Sequence, residues 1–275
     1  MHLKKLPLLF VFLLFLGSCT ERKVKLTHGI DESAGGLSAY IISTPSAIYY
    51  LEKEGGGLSS MIDKDGADWI GFHNKKGSAH KGEYRGFPNA IHKQDGSYFH
   101  AMNAKTDPSS SIIEIESEEH IRIKFTSDNK QWQGQWDFYP ERCDFTMTKV
   151  STGYKYWVQY EGVPGGKMDT TDFWYASVDR ERHSIEESFN GDLPEPEWMA
   201  FGDENSPRML YIFHHKNDEL PDNYVFRPDM TVLGFGRENK ETTNKYLTTV
   251  ETFSIGFIES TKYSAINQAV LQVMD

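Results

Sequence analysis

The densest group of side chains that could do acid–base or anion-binding chemistry lies between Gly82 and His100. The candidate catalytic residues in it are Tyr84, Arg85, Asn89, His92 and His100. Glycine lets a backbone approach a ligand closely, Arg binds a carboxylate through two parallel hydrogen bonds, and His and Tyr exchange protons. The segment is therefore interpreted as a functional loop. The alternative is a loop whose polar groups satisfy one another and cover a sheet edge.

A second cluster extends from Tyr154 to Gly166. Side chains of a strand alternate between its two faces, so Trp157, Gln159 and Glu161 share one face and Tyr160 lies on the other. An aromatic plate beside hydrogen-bonding groups suits the apolar face and hydroxyls of a sugar, so the first three are candidate substrate-binding residues. Tyr160 is a further candidate phenol for catalysis. An ordinary half-exposed strand that ends in a Gly-rich turn is the alternative.

The pair His214-His215 supplies two further candidate substrate-binding residues. Neighbours on a strand point to opposite faces, so at most one of them can line a given site. The sequence contains no HExxH, CxxC or EF-hand motif and no GxSxG, so we expect neither a metal nor another cofactor and no serine-hydrolase triad. A pair of glycosidase carboxylates stays open, because spacing in sequence says nothing about spacing across a sheet.

Short β-branched and aromatic runs, separated by turn residues, follow one another along most of the chain. They predict strands at Ser38–Ser43, Ala47–Lys53, Ser111–Glu116, Ile121–Ser127, Gln131–Tyr139, Cys143–Val150, Tyr154–Glu161, Phe173–Val178, His183–Ser188, Trp198–Phe201, Met209–His214, Thr231–Phe235 and Thr248–Ile258. One helix is predicted, at the C-terminus after Ser260 or Thr261. This pattern predicts an all-β fold, a large antiparallel two-sheet sandwich with a C-terminal helix. Residues 70–110 lack such periodicity, as functional loops often do.

The N-terminus has the three parts of an export signal, with Lys4 and Lys5 before the apolar run Leu8–Leu16 and small residues before Cys19. We expect residues 1–18 to be a lipoprotein signal peptide, 19–36 a tether and 37–275 a single β-sandwich domain. Lipidation of Cys19 would anchor the exported protein to a membrane, and the outer membrane is preferred. An ordinary secretory peptide with a chance cysteine is the alternative.

The formal net charge is −11. Removal of residues 1–18 takes away two lysines and changes it to −13. That balance argues against a nucleic-acid partner, and an anionic ligand would need local Arg, Lys or His to override the overall field. Cys143 is the one cysteine after Cys19, so no disulfide within the predicted domain is possible.

Three segments, 50–70, 82–89 and 154–166, resemble exported, polysaccharide-lyase-like proteins of marine bacteria that degrade polysaccharides. Within that group they are most similar to the ulvan-oligosaccharide dehydratases, which remove water from a uronic acid at the non-reducing end. The stretch Gly-Gly-Gly-Leu-Ser-Ser-Met-Ile-Asp at 55–63 also resembles the strand–turn entry of galactose-mutarotase-like sandwiches. The resemblance implies a mutarotase-like supersandwich or a jelly roll, and a lyase or dehydratase that forms a 4,5-unsaturated uronate.

Such an elimination needs groups that neutralise the substrate carboxylate, a base for the adjacent proton and an acid for the departing oxygen. The resemblance assigns the carboxylate to Arg85 and Asn89. It assigns the proton transfers to His92, His100 and Tyr84, with Tyr160 as a further candidate phenol. A carbohydrate-binding lipoprotein without catalysis and a glycoside hydrolase or epimerase on the same fold stay open. All versions require the two clusters to meet in space.

Overall fold

The computed structural model describes residues 23–32, 34–72, 84–90, 98–239 and 244–274. Every strand pair in these ranges is antiparallel. The strands are β1 (Lys25–Asp31), β2 (Leu37–Ser43), β3 (Ala47–Glu52), β4 (Leu58–Asp63), β5 (Ser109–Glu116), β6 (Ile121–Ser127), β7 (Trp132–Phe138), β8 (Arg142–Val150), β9 (Val158–Gly162), β10 (Asp172–Ala176), β11 (His183–Ser184), β12 (Phe189–Gly191), β13 (Glu197–Asp203), β14 (Met209–His214), β15 (Asp222–Arg227), β16 (Met230–Phe235) and β17 (Glu251–Ile258). Short 3-10 helices cover Ala101–Lys105 and Pro164–Gly166, and the α-helix α1 covers Tyr263–Met274.

These strands form three hydrogen-bonded sheets. The first is β1-β2-β3-β4, and the second has nine strands in the order β11-β10-β13-β14-β17-β8-β7-β6-β5. The third is β12-β15-β16-β9. The all-β prediction is confirmed, and so are the predicted positions of most strands.

The segment 84–90 joins the two four-stranded sheets into one layer. The amide of Leu58 on β4 donates to the carbonyl of Phe87 at 2.8 Å. On the other side, Gly86 exchanges two backbone hydrogen bonds with Glu161 of β9, at 2.7 and 3.0 Å. Because the segment pairs with an edge strand of each sheet, both edges are covered and the layer is continuous.

The core lies between this joined layer and the nine-stranded sheet. Aromatic rings from the two layers meet across it: Tyr49 with Phe138 at 5.3 Å between ring centroids, and Phe87 with Trp136 at 5.8 Å. The indole of Trp136 donates to the carbonyl of Gly56 at 2.9 Å, so its polar atom is satisfied inside the core. The predicted sandwich is thus built from two layers, one of which consists of two sheets.

Helix α1 confirms the helix predicted at the C-terminus, and it packs on the outer face of the nine-stranded sheet. Its Ile266 and Val270 are buried against Trp198, Tyr211 and Phe213. The one-sided spacing of its apolar residues follows from the helical repeat. No helix among the described residues combines the length and the apolar character needed to cross a bilayer.

Two strands in the first 63 residues correct the sequence prediction. Residues 25–31, assigned to the tether, form β1 and pair with β2 over their whole length. The segment was missed because most of its side chains are polar or exposed, so it shows no apolar alternation. β4 was missed because buried Ser59 and Ser60 interrupt its apolar pattern; both hydroxyls donate to Oδ2 of Asp31, at 2.7 and 3.0 Å.

Arg208 is a deeply buried cation with charged partners, with 1% of its side chain exposed. It ties β14 to the loop that follows β4 and to the residue after β17. Its nitrogens lie 2.6 Å from Asp63, 2.6 Å from Asp65 and 3.1 Å from Glu259. Asp63 is itself 3% exposed, and hydrogen bonds from Trp69 and Ala67 together with Arg208 favour its charged form.

We expect Arg208→Met to lower the free energy of unfolding by about 3–5 kcal/mol, because it leaves Asp63 charged and buried without its cation. Arg182→Met is the matched control, since Arg182 pairs with Glu204 where both side chains are exposed. Its cost should be about 1 kcal/mol. Urea unfolding of the two variants measures both values, and equal losses would contradict the assigned role of Arg208.

Candidate functional site

The two predicted clusters meet at Glu161. Glu161 lies on β9, and its side chain is 5% exposed. The side-chain amide of Asn89 donates to Oε2 of Glu161 at 2.8 Å, and the same nitrogen lies 3.5 Å from Oε1 of Gln159. Asn89 has φ +40°, a left-handed conformation that Asn tolerates better than most residues. The predicted shared face of Gln159 and Glu161 is therefore the face that Asn89 contacts.

Two arginines, one on β15 and one two residues after β16, supply positive charge to this face. Arg227 and Arg237 are the charged residues that act most strongly on Glu161. Arg237 lies over Gly234, where an added Cβ would be only 2.9 Å from Cδ of Arg237. Gly234 pairs with Gln159, so the missing side chain lets the arginine lie beside the site.

The guanidinium of Arg237 has unused hydrogen-bonding capacity. The residue is 5% exposed, and its Nε and Nη1 are buried and donate to no acceptor among the described residues. The guanidinium lies 5.3 Å from the ring centroid of Trp157, and Nζ of Lys245 lies 5.6 Å from the same centroid. Buried donors without acceptors are costly, which is typical of a place where an anion binds.

We call this group the Glu161 site. It consists of Asn89, Trp157, Gln159, Glu161, Arg227, Arg237 and Lys245. Burial raises the pKa of Glu161 to about 7, although Arg227, Arg237 and the Asn89 hydrogen bond favour the charged form. A carboxyl with a pKa near 7 can take up or release a proton at neutral pH.

Arg85, predicted to hold a carboxylate, is bonded to backbone instead. Its Nη2 donates to the carbonyl of Asp229, and its Nη1 donates to the carbonyl of Gly71 at 3.4 Å. It therefore ties the β15–β16 turn to the loop after Trp69, while burial lowers its pKa. The cations that act on Glu161 come from β15 and β16, which the resemblance did not indicate.

His100, predicted as a base or acid, caps the 3-10 helix that begins at Ala101. Its Nδ1 accepts from the amide of Met102 at 3.0 Å, so Nε2 carries the proton and donates to the carbonyl of Tyr84 at 3.0 Å. Both ring nitrogens are thus bonded to backbone, and the ring is fully buried. These contacts indicate a positioning role for the Tyr84–Gly86 backbone. Predicted His92 and Cys19 lie outside the described residues.

Tyr160, the further candidate phenol for catalysis, lies on the core face of β9 and not on the face of Glu161. Its hydroxyl donates to the carbonyl of Trp69 at 2.6 Å, and its ring lies 5.6 Å from that of Phe201. Burial raises its pKa well above the ordinary value. The prediction that Tyr160 takes part in catalysis is corrected, since strand alternation turns it into the core.

His214 and His215, predicted to bind substrate, have partners within the nine-stranded sheet. His214 lies 2.6 Å from Glu197 and 3.0 Å from Glu251, and these carboxylates raise its pKa to about 9 against the effect of burial. Nε2 of His215 lies 2.7 Å from Oγ of Ser254, and burial lowers its pKa to about 4. Both imidazoles thus serve structural contacts in the layer opposite β9.

The sequence reasoning missed Arg227, Arg237 and Lys245. One signal was present for Arg237: the predicted strand Thr231–Phe235 contains a glycine, Gly234, and Arg237 follows the end of that strand by two residues. Glycine inside a strand pattern often marks a place where another group approaches the backbone closely. Arg227 had no such signal, since the strand β15 that carries it was not predicted.

Comparison with known proteins identifies the fold. No family model matches the chain, and no curated protein matches it. A galactose mutarotase related enzyme from Lactobacillus acidophilus superimposes with a TM-score of 0.52 at 8% identity, over 82% of this chain and 98% of its own. A putative mutarotase from Salmonella typhimurium gives 0.51 at 11%, over 84% and 93%.

A putative aldose 1-epimerase from Klebsiella pneumoniae gives a TM-score of 0.51 at 12% identity, over 92% of this chain and 87% of its own. The protein therefore has a mutarotase-like β-sandwich fold, as the sequence predicted. At these identities the likeness concerns the fold, and function has to be argued from the site.

The raised pKa of Glu161 makes a prediction for stability. The carboxyl has a pKa of about 7 in the folded protein and of about 4.5 in the unfolded chain. Its contribution to stability therefore decreases as the pH rises between these two values, and it is absent at higher pH. Glu161→Gln removes this dependence. The stability of the variant relative to the wild type should therefore rise by roughly 2–3 kcal/mol from about pH 4 to pH 8.

Glu251→Gln is the opposing control. Burial raises the pKa of Glu251, but hydrogen bonds from His214, Thr249 and Lys216 outweigh burial and hold the pKa below its usual value. The wild type should therefore be more stable than this variant above about pH 4.5 and lose that advantage as the pH falls. Denaturant unfolding across this pH range measures both differences. A pH-independent difference for Glu161→Gln would contradict the assigned pKa.

Proposed function

We propose that this protein is a carbohydrate-active enzyme that acts on an acidic sugar, with Glu161 as the group that transfers the proton. The observation that carries the proposal is the Glu161 carboxyl itself. It is buried, has a pKa of about 7, accepts a hydrogen bond from Asn89 and lies in the field of Arg227 and Arg237. A general acid or base works best when its pKa is close to the working pH.

Arg237 is the proposed binding group for the acidic substituent of the sugar. Its buried Nε and Nη1 have no acceptor among the described residues, and guanidinium N–H groups form strong hydrogen bonds with a carboxylate. Trp157 offers an aromatic surface beside that guanidinium, 5.3 Å away, for the apolar face of the sugar ring. The overall charge of −11 repels anions, so the local cations must provide the attraction.

The reaction that we favour is β-elimination from a uronate, as in the dehydratase group that the sequence resembles. Ionised Glu161 takes the proton from the carbon next to the carboxylate, and the negative charge develops on that carboxylate, where Arg237 stabilises it. The electron pair then forms the C4=C5 double bond while the C4–O bond breaks. Protonated Glu161 passes its proton to the departing oxygen, which leaves as water in a dehydratase or as the hydroxyl of a sugar in a lyase, and the carboxylate is restored.

A mutarotase or epimerase is the second candidate, and the fold favours it. Solved structures that share the fold are described as mutarotases or aldose 1-epimerases. The same Glu161 carboxyl would then move a proton at the anomeric centre without any elimination. A carbohydrate-binding protein without catalysis would use the same contacts and transfer no proton.

Three outcomes distinguish these functions when the purified protein is incubated with uronate-containing oligosaccharides of ulvan type. New ultraviolet absorbance from a C4=C5 bond conjugated to the carboxylate supports elimination. Faster exchange between anomers in proton NMR spectra, without that absorbance, supports a mutarotase and excludes the elimination. Binding by calorimetry without either signal contradicts catalysis altogether.

Substitutions in the Glu161 site should separate proton transfer from anion binding. We expect Glu161→Gln to lower kcat by a factor of roughly 10²–10⁴, because the amide cannot exchange the proton. Arg237→Gln should raise KM and lower kcat by about 10²-fold, because it removes charge from the developing anion. Arg122→Gln is the control, since Arg122 pairs with Asp137 in the nine-stranded sheet. Full activity of Glu161→Gln would disprove the assignment.

The membrane anchor remains part of the proposal. We propose that the protein is exported and held on a membrane by lipid on Cys19, and the sequence motif before this cysteine supports this. Cys19→Ala should move the protein from the membrane fraction of the expressing cells to the soluble fraction. An unchanged membrane association would contradict lipid anchoring through this residue.

A further inference from the structure

Three aspartates that the proposed function does not use converge beyond the end of β9. Asp169 and Asp172 come from the loop that leads into β10 and from its first residue, and Asp203 ends β13. One oxygen from each carboxylate lies within 4.8 Å of one oxygen from each of the others. Bringing several carboxylates together in a partly buried place is costly unless a positive group compensates their charge.

We propose that Asp169, Asp172 and Asp203 bind a calcium ion. The ligands are all oxygens, with the Thr171 hydroxyl and the Asn205 side chain beside them, and neither His nor Cys takes part. Oxygen ligands favour Ca²⁺ or Mg²⁺ over zinc. Two oxygens on opposite sides of Ca²⁺, each about 2.3–2.6 Å from it, are about 4.6–5.2 Å apart, so three oxygens within 4.8 Å of one another can bind a single Ca²⁺.

Asp172 supplies an independent sign of a missing partner. The residue is 2% exposed. Its Oδ2 accepts from the amide of Asp169 at 2.8 Å, but its Oδ1 is buried and accepts no hydrogen bond among the described residues. Burial, followed by repulsion from Asp169 and Asp203, raises the pKa of Asp172 to about 7. Lys167 lowers the pKa of this carboxyl, but its effect is smaller than those of burial and of the two neighbouring carboxylates.

The backbone makes room for the Asp203 carboxylate. Oδ1 of Asp203 accepts from Thr171 at 2.9 Å and from the amide of Asn205 at 2.8 Å, whereas Oδ2 lies against Gly165. A Cβ at position 165 would be 2.3 Å from this oxygen, and Gly165 has φ +61°. The glycine is therefore required both by the turn and by the close approach of the carboxylate.

Calcium at this point would connect three elements that meet after β9. The 3-10 helix Pro164–Gly166 directly follows β9, the strand of Glu161, and β10 pairs with β13. The ion would thus hold the Gly-rich turn against the nine-stranded sheet. This proposal stands apart from the enzymatic one, because it rests on other residues and its test needs no sugar.

The test is thermal unfolding of the full chain after treatment with EDTA, in millimolar CaCl₂ or MgCl₂ at constant ionic strength. Wild-type protein should gain on the order of 5 °C in Tm with Ca²⁺ and clearly less with Mg²⁺. Asp172→Asn and Asp203→Asn should lose the gain. In EDTA, Asp172→Asn should melt at or above the wild-type temperature, because it removes one of three repelling charges.

Asp144→Asn is the matched control, since Asp144 is a buried carboxylate in β8 of the same sheet and its pKa is likewise raised by burial. It should keep the full Ca²⁺ gain. If a substitution at a buried aspartate prevents folding, Asp169→Asn at a partly exposed position is the second variant. It should weaken Ca²⁺ binding measured by calorimetry. No gain for the wild type, an equal gain with Mg²⁺, or a gain that survives in the site variants would overturn the proposal.

Discussion

The backbone hydrogen bonds of the segment 84–90 are the constraint on which the site depends. Besides the pairs with Leu58 and Glu161, the carbonyl of Pro88 accepts from the amide of Gln159 at 2.7 Å, and that of Ala90 accepts from Trp157 at 3.3 Å. These bonds close the layer and also fix Asn89 opposite the Glu161 carboxylate. His100 secures the other end of the segment through the carbonyl of Tyr84. Residues 84–90 of the loop that was predicted to be catalytic are thus mainly a strand-like connector, and Asn89 is their contribution to the proposed site.

The proposed anionic ligand conflicts at first sight with the net negative charge of the chain, and the local charges of the Glu161 site resolve this conflict. Charges act most strongly where water is excluded, so two buried or partly buried arginines near Glu161 outweigh distant exposed carboxylates that solvent and salt screen. Elsewhere the chain neutralises its buried charges internally. His214 lies between Glu197 and Glu251, and Arg208 holds Asp63. Arg237 differs from them because two of its buried nitrogens have no acceptor among the described residues.

Local pattern was enough to predict the sandwich, the terminal helix and the shared face of Gln159 and Glu161, because alternation and helical periodicity are written in neighbouring residues. The role of Arg85 and the position of Arg237 could not be predicted from local pattern. The carbonyl partners of Arg85 lie 14 and 144 positions away, and Arg237 reaches the site only because β16 pairs with β9 in a register set by the whole layer. Residue type indicates what a side chain can do, whereas long-range pairing decides what it meets.

Glu161 and Asp172 have similarly raised pKa values, but their neighbours differ in charge. Burial raises the pKa of both carboxyls to about 7. The neighbours of Glu161 are arginines and an amide donor, which favour the ionised form and would suit proton exchange with the proposed anionic ligand. The neighbours of Asp172 are two more carboxylates, which oppose ionisation and favour a cation as the compensating partner. Only eleven positions separate the two residues. The stretch from β9 to β10 therefore changes from an anion-attracting face to a cation-attracting turn, because β15 and β16 bring arginines to one end while β13 brings Asp203 to the other.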